Sequence, residues 1–143
     1  MPSFVIQVHL RVMVKVQKRV PFDLCDPVGI MFYGSIHRLT HQALEVALPQ
    51  IGITWQEWFS SNLGAPVRKV ECDYLKPMKG NEVYDIEVHF INPTDSSITV
   101  HYLVKKENIL HCDVKVVKVF VDRHEMKKVA MPEKYKKIFS SLI

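Results

Sequence analysis

The sequence has few cysteines and no paired cysteine motif. Its three cysteines, Cys25, Cys72 and Cys112, are an odd number without CxxC spacing, which disfavours a disulfide framework and a zinc site. No apolar run approaches the roughly 20 residues that cross a bilayer. The first residues, MPSFVIQVHLRV, alternate in polarity instead of forming a signal peptide's apolar block. We therefore expect a cytoplasmic protein without a metal or a membrane partner, whose thiols are reduced and mostly buried.

The sequence also lacks a block of basic residues. It has 19 lysines and arginines against 15 aspartates and glutamates, a formal charge of +4, whereas a nucleic-acid reader normally shows a basic block or a recognisable motif. The lysines of EMKKVAMPEKYKKIF, residues 125–139, are mixed with glutamates and indicate a solvated face. This mild excess of positive charge suits a small anionic ligand at least as well, and we expect no nucleic-acid partner.

The sequence does contain two clear hydrophobic periods in its first third. Nearly every even position from Phe4 to Phe22 is apolar, the period of an extended strand with one buried face. From Ile30 to Leu48, apolar residues recur at three- and four-residue spacing, which predicts a helix with one broad apolar face. Pro49 and Gly52 should end this helix.

The remaining sequence predicts one more short helix, four strands and a closing helix. TWQEWFSSNLG, residues 54–64, has a threonine cap and predicts a helix that ends at Gly64. Two-residue alternation predicts strands over residues 65–75, 83–91, 98–106 and 109–122, and the short turns between them are typical of an antiparallel meander. A terminal helix begins at Pro132. The order of elements predicts a single α+β domain over residues 1–143, with a five-stranded antiparallel sheet packed on the long helix.

Two stretches resemble the 4-hydroxybenzoyl-CoA thioesterase family of hotdog-fold acyl-CoA thioesterases. The first is VPFDLCDPVGIMFYGSIHRL, residues 20–39, in which an acidic residue, a proline step, a glycine, an aliphatic residue and an aromatic pair lead into the central helix. The residues that carry this signature are Asp26, Pro27, Gly29, Ile30, Phe32 and Tyr33. The second is VECDYLKPMKGNEVYDIEV, residues 70–88, where an aromatic-x-x-Pro run precedes a glycine and a new strand. The resemblance covers roughly residues 10 to 135.

This resemblance implies a fold, an assembly and an activity. The implied hotdog fold is an antiparallel sheet wrapped around the long helix. The implied assembly is a homodimer that pairs sheets edge to edge, often associating further into a homotetramer. The implied activity is hydrolysis of an acyl-CoA thioester to a carboxylic acid and free CoA, without a cofactor, at an active site in the dimer interface.

The chemistry of this reaction gives each signature residue an expected role. Backbone N–H groups at a helix start lack internal partners and carry partial positive charge, so the amide of Tyr33, with Gly34 beside it, is our candidate oxyanion hole. Gly29 and Gly34 have no Cβ and allow a ligand to approach the backbone closely. By resemblance, Asp26 is the nucleophile or the general base. Phe32, His37 and Gly64 are candidates for lining the substrate pocket.

Each of these residues also has a purely structural interpretation. Asp26 could be only a turn residue or a cap, since Asp-Pro-x-Gly is turn chemistry by itself. Tyr33 could be a core aromatic residue. His37 and His41 are one helical turn apart, but no third ligand at a telling spacing supports a metal site, so both fit a polar helix face. Gly64 could simply stop the short helix.

The sequence departs from the family pattern at four places. One is Gly34-Ser35 after the aromatic pair, where many members carry a His, Asn or Pro-Asn step. Leu24 stands where the family often has a second acidic residue, and His41 where it commonly has an acidic residue on the helix. The turn NPTDSS, residues 92–97, holds Asp95 and no lysine or arginine, whereas some members use basic residues there to hold CoA phosphates. The remaining candidates for that contact are Lys76, Lys79, Arg123, Lys127 and Lys128. Two alternatives therefore stay open: a thioesterase for acyl carrier protein, and a non-catalytic module that binds acyl thioesters.

Overall fold

Alternating hydrophobicity gives rise to one main sheet in the computed structural model, which describes residues 13–59 and 62–141. The strands are β1 (Met13–Arg19), β2 (Leu63–Gly64), β3 (Val67–Tyr74), β4 (Val83–Ile91), β5 (Ser97–Lys106), β6 (Ile109–Val119) and β7 (Val121–Asp122). The helices are α1 (Ser35–Gln50), α2 (Trp55–Phe59) and α3 (Glu133–Ser141), with a 3-10 turn at Phe22–Leu24. The part of the first predicted strand that precedes residue 13 lies outside the described residues.

The main sheet has five antiparallel strands in the order β1-β4-β5-β6-β3. Strands β4, β5 and β6 form the predicted meander, and Glu107 and Asn108 both adopt positive φ in the tight turn between β5 and β6, as a two-residue hairpin connection requires. The prediction of a meander is wrong for β3, which precedes β4 in the chain but pairs with β6, the last strand of the meander. Strand β3 therefore forms one edge of the sheet, with β1 at the other. Strands β2 and β7 form a separate antiparallel pair.

The core lies between the sheet and α1. Every second residue of β4 and β5 is buried, and these side chains face the buried stripe of α1 that includes Ile36, Leu39 and Ala43. The two periodicities of the sequence therefore meet in one apolar layer. This arrangement confirms the predicted α+β class and the packing of the sheet on the long helix.

Helix α1 begins five residues later than predicted. The prediction placed its start at Ile30, but Ile30 pairs with Lys79 and Met31 with Cys25 in isolated β-bridges. The Met31 N–H donates to the carbonyl of Met78 over 2.7 Å. Backbone pairing with a distant loop therefore holds residues 30–31 in an extended conformation, against their helical hydrophobic period.

The end of α1 and the start of α2 show predicted sequence signals, although α1 continues through Pro49 to Gln50. Gly52, at φ +95°, donates to the carbonyl of Pro49, and Ile53 donates to Leu48, the two bonds of a Schellman motif. In α2, Thr54 and Glu57 exchange backbone-to-side-chain hydrogen bonds of 2.6 and 3.2 Å, a capping box. The predicted end of this helix at Gly64 is wrong, because α2 stops at Phe59 and Gly64 belongs to β2.

The structure also tests the expected burial of the cysteines and the expected absence of a membrane-spanning helix. All three thiols are free, but only Cys112 is buried, while Cys25 and Cys72 are half-buried. The prediction of mostly buried thiols is therefore wrong for two of them. Within the described ranges, each helix is too short or too polar to reach across a bilayer.

Candidate active site

The loop that carries Asp26 is a β-turn built from its own sequence. The N–H of Gly29 donates to the carbonyl of Asp26 over 3.0 Å, and Pro27 occupies the second position of this turn, where its fixed φ is favoured. The Asp26 N–H then donates to Ile30 over 2.8 Å and closes the loop. Gly29 has φ +87° and open space where a Cβ would be. A glycine is thus favoured there by backbone conformation alone.

The carboxylate of Asp26 is held by this loop on one side only. Its Oδ1 accepts hydrogen bonds from the N–H groups of Val28 at 2.9 Å and Ile30 at 3.3 Å. Its Oδ2 has no hydrogen-bond or ionic partner within residues 13–59 and 62–141, and the residue is half-buried. Asp26 therefore has the structural role of a turn residue and also presents one oxygen for chemistry.

Asp26 lines an open groove of about 730 Å³. Phe22 and Cys25 line it on one side, and Gly80 and Asn81 belong to the loop before β4 on the other. A Cβ on Gly80 would lie 2.8 Å from Cys25 Sγ, and the Gly80 N–H donates to the carbonyl of Gly29 over 2.9 Å. Gly80 therefore locks the two loops together. The sequence reasoning placed Gly80 in a turn but missed this contact, and the only signal for it was the glycine within KPMKGNE.

Tyr33 and Gly34 lie in the turn that leads into α1. Gly34 is the N-cap, and the Ser35 N–H donates to the carbonyl of Phe32 over 2.9 Å. The N–H groups of Tyr33 and Gly34 have no acceptor in the part of the chain that the structure describes. Both amides precede the positive end of the α1 dipole. These N–H groups can donate hydrogen bonds to an oxyanion and so stabilise its negative charge. They lie before the helix and not within it as predicted.

The aromatic pair of the signature lies on the surface of the chain. The Phe32 and Tyr33 rings are 4.7 Å apart between centroids, and the two residues are 49% and 69% exposed. The interpretation of Tyr33 as a core aromatic residue is therefore wrong. Phe32 lies before α1, whereas the helix predicted to begin at Ile30 would include it. Two large apolar side chains left in water at a helix entrance are typical of a surface that binds a ligand or another chain.

A second cavity, of about 310 Å³, lies beside Tyr33 and is lined by Met31, Tyr74, Lys76 and Cys112 among others. The Tyr74 hydroxyl donates to the carbonyl of Tyr33. Partial burial and the neighbouring Cys72 raise the pKa of Tyr74, which keeps this hydroxyl protonated. Burial likewise raises the pKa of the Cys112 thiol, so Cys112 is a poor nucleophile.

The structure brings some predicted site residues together and separates others. Asp26 and Gly29 line the first groove and Tyr33 the second cavity, and the bridged residues Ile30 and Met31 separate the two. His37 lines a different small cavity, together with His41. Gly64 pairs with Val121 in the two-stranded sheet. No group of three potential metal ligands occurs among the described residues.

The candidate phosphate contacts also divide into two groups. Lys79 bridges to Ile30 beside the Asp26 loop, and Lys76 lines the Tyr33 cavity. Arg123, Lys127 and Lys128 lie instead after β7, where Lys128 bridges to Val121. In the turn NPTDSS, Asp95 accepts from Lys136 of α3 over 2.7 Å. The two lysines near the candidate site are therefore Lys76 and Lys79.

The chain is similar in sequence to known thioesterases. A model of the family described as the Thioesterase-like superfamily matches residues 20–139. A 1,4-dihydroxy-2-naphthoyl-CoA hydrolase of Thermosynechococcus vestitus is 33% identical over 63 residues, and the matched stretch spans 43% of this chain and 43% of that enzyme.

The chain is also similar in fold to solved structures. The 4-hydroxybenzoyl-CoA thioesterase of Pseudomonas sp. strain CBS-3 superposes with a TM-score of 0.78 at 20% identity, covering 88% of this chain and 98% of the enzyme. A Staphylococcus aureus protein solved in complex with CoA superposes with a TM-score of 0.81 at 12% identity, covering 91% and 83% of the two chains. At these identities the likeness establishes the hotdog fold.

Proposed function

Because the chain belongs to the Thioesterase-like superfamily, we propose that it hydrolyses an acyl-CoA thioester to a carboxylic acid and free CoA, with Asp26 as the reacting group. The family predicted from residues 20–39 and 70–88 is confirmed by the match. A CoA thioester as substrate is supported by the name of the T. vestitus relative and by the CoA bound to the S. aureus neighbour. The observation that carries the proposal is the Asp26 carboxylate, fixed by two backbone amides at an open groove with Oδ2 unpartnered among the described residues.

In the proposed reaction, Asp26 and the amides of Tyr33 and Gly34 act on the same thioester carbonyl. Asp26 Oδ2 attacks the thioester carbon, or removes a proton from a water that attacks it. The carbonyl oxygen becomes an oxyanion, which the N–H groups of Tyr33 and Gly34 stabilise. Collapse of this intermediate breaks the C–S bond and releases the CoA thiolate. In the nucleophilic version, water then hydrolyses the mixed anhydride between the acyl group and Asp26.

We place the complete site between two copies of the chain. Asp26 and Tyr33 line separate cavities of a single chain. Large apolar side chains near these cavities are exposed: Phe22 at 95%, Val28 at 79% and Tyr74 at 50%. A second copy that covers them would bury apolar surface and could bring an Asp26 and a Tyr33 into one site. A homodimer, or a homotetramer built from it, is the assembly this surface supports.

A thiol-release assay over aromatic, short and long acyl-CoAs tests the proposal. In Asp26→Asn, the new side-chain amide oxygen can still accept the Val28 and Ile30 N–H groups, so this variant removes the reactive carboxylate while keeping the turn. We expect kcat on the best substrate to fall by about 100-fold or more. Asp23→Asn, which changes an exposed acid of the adjacent 3-10 turn, is the matched control and should retain parental kcat. Turnover by Asp26→Asn at the parental rate would refute the role of Asp26.

A further inference from the structure

Strand β6 carries a lysine on its core face. The side chains that alternate towards the core are Cys112, Val114 and Val116, and the next one is Lys118, which is only 6% exposed. Burial lowers the pKa of Lys118, and no carboxylate of the described residues pairs with it. A mostly buried lysine without a counter-charge is costly to ionise, and an anionic ligand in a cavity beside it would offset that cost.

Lys118 lines a small cavity between α1 and the edge strand β3. The cavity has a volume of about 140 Å³, and α1 contributes His37, Thr40 and His41 to it. The Thr40 hydroxyl already donates to the carbonyl of Ile36 over 2.9 Å. Tyr102 also lines the cavity. The ammonium group, the two imidazoles and the Tyr102 hydroxyl are therefore the groups that can donate to a ligand.

His41 is electrostatically linked to this lysine. Burial first, and then the charge of Lys118, lower the pKa of His41, while the carboxylate of Glu45 raises it. Glu45 lies one helical turn further along α1, is exposed, and lines the neighbouring cavity together with His41. Since Glu45 does not line the Lys118 cavity, it does not supply the missing counter-charge.

This cavity and the Tyr33 cavity are both lined by residues of β3 and β6. Cys112 lines the Tyr33 cavity and Lys118 the smaller one, and both are on the core face of β6. On the helix side, His37 and His41 are one turn apart and share one side of α1, and Tyr33 lies in the turn before this helix. His37 and His41 are about 6 Å apart along the axis of α1 at 1.5 Å per residue.

We propose that the cavity lined by His37, His41 and Lys118 binds a carboxylate at the far end of the acyl group, so that the preferred substrate is an acyl-CoA with a terminal carboxylate. This proposal rests on the proposed thioesterase function. The cavity has a volume of about 140 Å³. That volume suits a carboxylate with a methylene or two and is too small for the nucleotide of CoA.

Matched acyl-CoA pairs that differ only in the terminal group test the proposal. The pairs are adipoyl with hexanoyl, suberoyl with octanoyl, and sebacoyl with decanoyl CoA. At the best chain length, we expect kcat/KM of the parent to favour the carboxylate form by about 10-fold or more, the effect of a charge-assisted hydrogen bond. Lys118→Met, which keeps a long apolar stem, should lower kcat/KM for that form by about 10- to 100-fold and leave the methyl-ended form unchanged or faster. Lys115→Met, which changes an exposed lysine of the same strand, should leave the preference intact.

The outcomes separate this proposal from the thioesterase function on which it rests. Equal turnover of both forms by the parent would overturn the carboxylate site while the thioesterase function stands. If Lys118→Met lowers kcat/KM by the same factor for both forms, the carboxylate site is also overturned. In that case Lys118 contributes to CoA binding or to stability and does not recognise the terminal carboxylate. If the parent hydrolyses no member of the panel, the thioesterase proposal fails instead.

Binding of free suberate tests the carboxylate site without turnover. We expect suberate to raise the Tm of the parent in a saturable way, as a ligand of the native state must, and to leave the Tm of Lys118→Met unchanged. A parent whose Tm does not respond to suberate would overturn the site. This measurement on the parent decides the question even if Lys118→Met does not fold.

Discussion

A methyl group on Gly80 should disrupt the contact between the Asp26 loop and the loop before β4. The added Cβ would lie 2.8 Å from Cys25 Sγ and 3.3 Å from the carbonyl oxygen of Gly29, and the first distance is well inside van der Waals contact. Overpacking of this kind costs about 1–3 kcal/mol. Replacing a glycine at negative φ by alanine also stabilises the protein by about 0.4–1 kcal/mol, because it reduces the conformational entropy of the unfolded chain. We therefore expect Gly80→Ala to lower the free energy of unfolding by about 1–2 kcal/mol.

The sulfur atom is the main obstacle, so its removal should rescue the variant. Urea unfolding of the parent, Gly80→Ala, Cys25→Ala and the double variant forms a double-mutant cycle. We expect a favourable coupling energy of about 1 kcal/mol, above the roughly 0.3–0.5 kcal/mol scatter of independent sites, and partial recovery of thioesterase activity in the double variant. Additive effects on unfolding would refute the contact between these loops as the cause.

Three further predictions concern the turn before α1, an ion pair and the end of α1. Tyr74→Phe removes the hydroxyl that donates to the Tyr33 carbonyl, and kcat/KM in the thiol-release assay should fall by about 3- to 10-fold; unchanged kinetics would contradict a positioning role. Burial opposes ionisation of Glu87, but hydrogen bonds from Lys105 and His89 lower its pKa below 4.5. Its contribution to stability should therefore be complete above about pH 4.5 and be lost as the pH falls through the lower folded-state pKa. Urea unfolding between about pH 3 and pH 6 should show this loss in the parent and a smaller loss in Lys105→Met. Gly52→Ala, at φ +95°, should cost about 1 kcal/mol in thermal unfolding, and no cost would contradict the left-handed cap.

The strands could be predicted well from the sequence because their signal is local. In β4, polar and apolar residues alternate between two turns, and the strand spans Val83–Ile91 as predicted. The neighbours of each strand are not a local property. Strand β3 pairs with β6, about 40 residues away, and only this pairing exposes the apolar side chains of β3 at a sheet edge.

The residues of the candidate site could be predicted only in part. The resemblance gave Asp26 and the Tyr33–Gly34 amides as candidates, and their catalytic roles stay predictions. Their place in a turn and at a helix entry could be predicted because turn residues and a change of period leave a sequence pattern. The same reasoning extended the helix back to Ile30, since hydrophobic spacing does not report that Ile30 bridges to Lys79. It also missed Gly80, whose importance lies in its distance to Cys25. Lys118 did leave a signal, a charge at an apolar position of the β6 alternation.

The central claim is that Asp26 and the Tyr33 amide act on the same carbonyl. The measurement that tests it most directly is a structure of the parent with a ketone analogue of the best acyl-CoA, in which a methylene replaces the sulfur. We expect the carbonyl oxygen about 3 Å from the Tyr33 nitrogen, and an Asp26 oxygen, from the same or the second copy, about 3–3.5 Å from the carbonyl carbon. A carbonyl bound away from both groups, with Asp26 still facing an empty groove, would contradict the claim.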